Sequence, residues 1–266
     1  LTSKARQARQ RKDQAIMIAN LMMYERPELQ GAHARFWDLV RSALADNGIA
    51  APETLSQDAD ANSVWTDPEM VLSQTCGMPY RLWLHGKVQL IGTPNYALQG
   101  CPAGYYRSAF VVRADDPRKD LKAYKDAVFA YNQAHSQSGY AAAFWHVKPL
   151  GFWFEQTFYS RGHVASAKAV AEGQADIAAI DAQTWRNFER YEAVAARLRV
   201  LEWTIPTPGL PLITALAQDK DAIFDVVAQA IVALNDADRA LLDFKGIERI
   251  PADAYLSIRN PDKQTP

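Results

Sequence analysis

An apolar run, Val128-Phe129-Ala130-Tyr131, is followed a few residues later by Ser136-Gln137-Ser138-Gly139-Tyr140 and then by a helix-forming run, Ala141 to Val147. The first run reads as a strand. Either Ser136 or Ser138 caps the helix. A strand feeding a capped helix start gathers backbone N–H groups at one point, and the helix dipole adds partial positive charge there. Such a point suits a phosphate, phosphonate or carboxylate, with serine hydroxyls as further donors. An ordinary capped helix that binds nothing has the same signature.

The same strand-then-helix step recurs along the chain, which predicts an α/β fold. A buried strand is expected over residues 15–21, and a helix over 33–47 with Phe36, Trp37, Val40, Ala43 and Leu44 at helical spacing. A short strand is expected at Thr54-Leu55, and a short helix opening at Asp67-Pro68. Strands follow at 71–75 and 88–93, with a short helix at 79–85 between them. A longer strand lies within 105–113, and a short helix at 121–127 precedes the Val128 strand. A helix at 163–172, a strand at 176–181, a helix at 182–191 and a strand at 198–203 come next. After the proline-rich segment Thr204–Pro211 the chain resumes as a strand at 212–217 and helices at 221–234 and 236–244.

Two α/β runs are therefore expected, joined by crossings near 102–106 and 204–211. Lobe 1 is residues 15–104 with 206–258, and lobe 2 is the inserted segment 105–205. Each lobe is read as a mostly parallel sheet flanked by helices. Two crossings make a hinge, and ligands bind in such clefts. Residues 1–14 and 259–266 read as flexible termini.

With 266 residues, 48% hydrophobic, a sizeable core is expected and global disorder is excluded. The formal charge of −1 gives no electrostatic footprint for nucleic acid. No apolar run approaches the roughly 18 residues of a membrane span. Five scattered histidines and two cysteines offer no metal spacing, and no metal or organic cofactor is expected. Neither a G-x-S-x-G, a P-loop nor a G-x-G-x-x-G stretch occurs, which argues against common enzyme classes. Cys76 and Cys101 each stand beside a turn signal after a predicted strand. If those consecutive strands are neighbours, their loops meet and the thiols form a disulfide, worth about 3 kcal/mol for a loop of this length. Two separate reduced thiols are the rival reading.

Beyond these patterns the chain resembles the substrate-binding proteins of phosphate, phosphite and phosphonate ABC importers, which have the type II periplasmic binding protein fold. The carrying residues are Ser136-Gln137-Ser138-Gly139-Tyr140, Gly162-His163 with Ala169 to Asp176, and Pro206 to Pro211. Gln74-Thr75-Cys76-Gly77, Gly100-Cys101 and Tyr106-Arg107-Ser108 add a subgroup pattern. The resemblance implies that Ser136, Gln137, Ser138, Gly139 and Tyr140 hold the anion and that His163 donates to it. Asp181, Tyr24, Tyr106 and the Thr75–Cys76 turn would face the cleft. Arg107 either clamps the anion or forms a salt bridge, and Asp181 caps the helix that follows it. Three positions depart from the family: Gln137 replaces a threonine, Leu210 an aspartate and Cys76 an aromatic residue. The implied protein is a monomeric, periplasmic, non-enzymatic component, its signal peptide already removed. It takes a small anionic ligand and delivers it to a membrane permease. A sensor of the same fold, signalling to a receptor, is an alternative, as is an enzyme on this scaffold.

Overall fold

A computed structural model describes residues 17–262. The expectations for residues 1–14, for the start of the opening strand and for 263–266 lie outside the described residues. By packing, the chain divides into two units. One holds the chain through Gln74, Leu84–Ile91 and Leu212–Leu242, and the other Thr75–Trp83, Gly92–Pro211 and the chain from Asp243 onward.

The first unit contains β1 (Ile18–Ala19), β2 (Met70–Gln74) and the start of β3 (Val88–Asn95). In the second lie β4 (Tyr105–Tyr106), β5 (Ser108–Arg113), β6 (Val128–Tyr131), β7 (Gln156–Tyr159), β8 (Ile177–Asp181), β9 (Leu198–Trp203) and β10 (Thr207–Pro208). The chain then returns to the first unit as β11 (Leu212–Ala215) and closes with β12 (Gly246–Glu248) in the second. Helices of both units flank the sheets.

In the first unit β2 pairs in parallel with β1 and antiparallel with β11, and β11 separates β2 from β3. Helix Gln30–Asp46 buries Phe36, Trp37, Val40 and Leu44, and packs on helix Lys220–Ala233, which buries Ile223, Val226, Val227 and Ile231. Burial of each such side chain contributes about 1.5–3 kcal/mol. Asp219 caps the second helix by accepting from Asp221 N and Ala222 N. Arg35 grips Asp238 with Nε at 2.8 Å and Nη2 at 2.6 Å.

The main sheet of the second unit has the order β7-β6-β8-β5-β9. Its strands alternate between two cores, as period-2 geometry requires. Ala109, Val111, Ile180, Trp185 and Phe188 lie in one, and Phe110, Val112, Phe129, Ile177 and Phe154 in the other. β6 runs parallel to β7 and β8, whereas β5 is antiparallel to β8 and β9. Both sheets are thus mixed rather than mostly parallel, because β5 and β11 run against neighbours that the βα steps lay down. The two crossing segments pair with each other as an antiparallel ribbon of β4 and β10. There Gly209 N donates to Gly104 O at 2.8 Å, and a Cβ at residue 209 would collide with that oxygen.

Several expectations need correction. Thr54-Leu55 forms no strand, and that loop meets β1 through Ser56 N, which donates to Ala19 O at 2.8 Å. Asp67 opens no helix; its Oδ1 accepts from Glu69 N at 2.8 Å in a turn that leads into β2. The helix there is Ala61–Trp65, capped by Asp60. Arg259 and Asn260, expected in a flexible tail, are held: Trp145 Nε1 donates to Arg259 O at 2.8 Å, and Asn260 Oδ1 accepts from Arg81. Among the described residues no helix is long and apolar enough to cross a membrane.

Candidate functional site

β6 leads into Ser136, whose Oγ accepts from Gly139 N at 3.0 Å. Ser136 is therefore the cap. The first turn after it, Gln137–Ala141, is a wide π turn that tightens into helix Ala142–Val147. Turns of this kind recur at functional sites. Gln137, Ser138, Gly139, Tyr140 and Ala141 are all buried. Position 139 suits glycine: a Cβ there would overlap Asn132 Oδ1 and stand 3.0 Å from His163 Cε1, so Asn132 would have to give way.

Four neighbours close on this turn from within the second unit. His163, first residue of helix His163–Ala171, brings Nε2 to 2.9 Å from Ser138 Oγ. Burial pushes the His163 imidazole below its usual pKa, against the pull of the Asp181 carboxylate. Ser108 Oγ donates to Ser138 O at 2.9 Å, so β5 holds the turn from below. Tyr106 is buried, with its hydroxyl 3.9 Å from Cys76 Sγ, and burial keeps that phenol protonated far above its ordinary range. Cys76 Sγ also accepts from Gln137 N at 3.4 Å.

Both cysteines are free, which corrects the expected disulfide. The pairing supposed that the strands before them are neighbours, but β11 lies between β2 and β3. Cys76 Sγ is turned to Gln137 and Tyr106, while Cys101 sits near Arg107. Thr75 is fully buried, and its N–H is taken by Pro211 O at 3.1 Å. Asp181 caps helix Ala182–Tyr191: Oδ1 accepts from Gln183 N at 3.0 Å and Thr184 N at 2.9 Å, and Oδ2 from Thr184 Oγ1. Arg107 neither clamps the turn nor pairs with a carboxylate among the described residues; its guanidinium lies 4.4 Å above the Trp203 ring. Tyr24 belongs to the first unit, buried in the short turn Met22–Tyr24.

A residue absent from the sequence reading completes the surroundings. Arg81 donates from Nη2 to Gln137 Oε1 at 2.7 Å. It stands four residues after Gly77, so the helical spacing of 77–84 places both on one face. That spacing is the one local signal it carries, and it does not name Gln137.

Residues 75–255 match the family model described as ABC transporter, phosphonate, periplasmic substrate-binding protein. The chain belongs to this family. Solved structures agree on the fold. PhnD1 of Prochlorococcus marinus, determined with methylphosphonate, is similar at 16% identity and a TM-score of 0.67, covering 92% of this chain and 96% of that one. A binding protein of a Pseudomonas aeruginosa ABC phosphonate transporter is similar at 17% identity and a TM-score of 0.66, with coverage of 92% and 85%. A Xanthomonas citri protein determined with chloride gives 14% and 0.66, with coverage of 92% and 98%. No curated protein matches the chain.

Proposed function

We propose that this family member is the solute-binding component of an ABC importer and takes a compact oxyanion of phosphonate, phosphite or phosphate type at the Ser136–Tyr140 turn. The observation that carries the reading is the π turn itself. Its buried hydroxyl on Ser138 meets the His163 imidazole at 2.9 Å, with the protonated Tyr106 and the Arg81 guanidinium among its neighbours. Donors gathered out of water hold an anion more strongly than the same donors in solvent.

The protein is read as a monomer in the periplasm that hands its ligand to a membrane permease. The lobe division drawn from the sequence, 15–104 with 206–258 and 105–205, belongs to this proposal. No catalysis is assigned. Ser138, His163 and Asp181 look like a hydrolytic triad in composition but not in geometry. A triad carboxylate holds the imidazole nitrogen opposite the serine. Here Asp181 Oδ2, 3.6 Å away, approaches the same Nε2 that meets Ser138.

A thermal-shift series tests the reading. Methylphosphonate, phosphite or phosphate should raise the unfolding midpoint progressively with concentration, while sulfate and acetate leave it in place. No shift with any of the three phosphorus oxyanions would overturn the proposal.

A further inference from the structure

The helical segment Gly77–Pro79, continued by the π turn Tyr80–Leu84, carries Arg81 over the Ser136–Tyr140 turn. Its guanidinium is fixed at two points. Nε and Nη2 donate to Asn260 Oδ1 at 3.0 and 2.8 Å, and Nη2 also donates to Gln137 Oε1 at 2.7 Å. A planar fork held along one edge leaves its other edge pointing in a set direction. On that edge Nη1 is buried and has no acceptor among the described residues. It lies beside Gly77, 3.5 Å from where a Cβ of residue 77 would stand, and Gln137 Cγ is 3.9 Å from the same point.

Buried charged donors are normally matched. One left open next to a turn rich in donors calls for an acceptor that the chain does not itself supply. The carboxylate that approaches His163 does not supply it: Asp181 accepts from Gln183 N, Thr184 N and Thr184 Oγ1, and Arg81 Nη1 does not reach it. The cluster therefore offers one cation with an unmatched N–H, beside a carboxylate engaged mainly in its own helix cap.

We propose that Arg81 Nη1 is the charged donor to the bound oxyanion, positioned by Asn260 and Gln137, and that the ligand is a compact phosphorus oxyanion without an amine. Methylphosphonate, phosphite and phosphate fit; an aminoalkylphosphonate would set its ammonium against the guanidinium. This inference rests on the oxyanion reading above and adds to it a residue and a ligand class.

Calorimetry on the full chain with methylphosphonate and with 2-aminoethylphosphonate tests it. Wild type should bind methylphosphonate at least about tenfold more tightly than the amine, as a repulsion of over a kilocalorie requires. Arg81→Met should lose about 10–100-fold in methylphosphonate affinity, the span of a lost charged hydrogen bond. The preference over the amine should shrink with it, a ratio that general loosening of the fold does not move. Arg81→Lys, which keeps the charge without the fork, should fall between, and Asn260→Ala should lose severalfold. Should Arg81→Met not fold, the ratios in Arg81→Lys and Asn260→Ala decide. Wild-type affinity and ratio in the Arg81 variants would overturn the role of Arg81 and leave the oxyanion reading standing. Tighter wild-type binding of the amine would overturn the ligand class. A wild type that binds no phosphorus oxyanion would overturn the reading and this inference together.

Discussion

The parallel strands β6 and β8 carry a polar cluster at each end, and the two are built on opposite rules. At the amino ends Asp176 Oδ2 accepts from Val128 N at 3.0 Å, and its Oδ1 pairs with Arg113 and Arg118, each at 3.2 Å. Arg118 also meets Asp116 at 2.6 Å and covers the Tyr124 ring at 3.9 Å, while Arg199 Nη2 donates to the carbonyls of Asp116 and Arg118. Here cations and carboxylates answer one another, and the Arg118 guanidinium holds the Asp116 carboxyl well below the usual carboxylate range. The carboxyl ends, where open α/β sheets bind ligands, carry the Ser136 turn and Asp181. There Arg81 Nη1 and Asn132 Oδ1 are buried without partners among the described residues. One end is thus matched charge for charge, whereas the other keeps a cation with an unmatched N–H.

The contrast breaks most visibly at Asp116. Asp116→Asn leaves Arg118 partly uncompensated and should lower the unfolding free energy by about 3 kcal/mol, the low end for a buried pair because Arg118 keeps some exposure. Urea unfolding measures this, and methylphosphonate affinity by calorimetry should stay as in wild type. A variant that loses affinity but keeps its urea midpoint would collapse the distinction.

The opposite end predicts the opposite pattern. If the hydroxyl donates to a charged ligand as proposed, Ser138→Ala should weaken methylphosphonate binding by about 1–2 kcal/mol. Its unfolding midpoint should move less than that of Asp116→Asn. Unchanged affinity would remove Ser138 from the site.

The smallest effect is a difference in pH window. Asp116 and Asp176 have folded pKa values below the ordinary 3.8, so the unfolded chain takes up protons first as pH falls through that value. Their stabilisation is complete above that range and is lost below it. His163 is also depressed, from 6.5, by burial, so the unfolded state binds its proton first and stability declines as pH falls through 6.5. Urea midpoints across pH 3–8 should show a shallow decline starting near neutrality and a steeper one in acid, on the order of a kilocalorie for each pH unit per proton taken up. Asp116→Asn should flatten only the acid limb, and His163→Gln only the shallow one. A single transition removed by either variant would mean that the two ends titrate as one network.

Much of this was legible locally. Val128–Tyr131, Ala182–Tyr191 and Leu198–Trp203 fall where strand and helix periodicity puts them, and the cap at Ser136 was visible as a serine before an apolar run. What failed depended on order in space. The disulfide argument needed β2 beside β3, and β11, far along the chain, separates them. Gln156–Tyr159 escaped because it is a mostly exposed strand with two polar residues at its start, hardly distinct from loop. Arg81 escaped because its partners, Gln137 and Asn260, are 56 and 179 residues away along the chain. A local pattern assigns an arginine to a helix face but not to the groups it meets there.

The contact between Gly139 and Asn132 constrains the order in which this turn can change over generations. Gln137 Oε1 accepts from Arg81 Nη2, so a replacement there gives up one of the two holds on that guanidinium while Asn260 keeps the other. A side chain at 139 runs into Asn132 Oδ1 and the His163 ring, so it becomes tolerable only after Asn132 has shortened. Residue 137 can therefore change at the cost of one hydrogen bond, while position 139 stays a glycine until Asn132 changes.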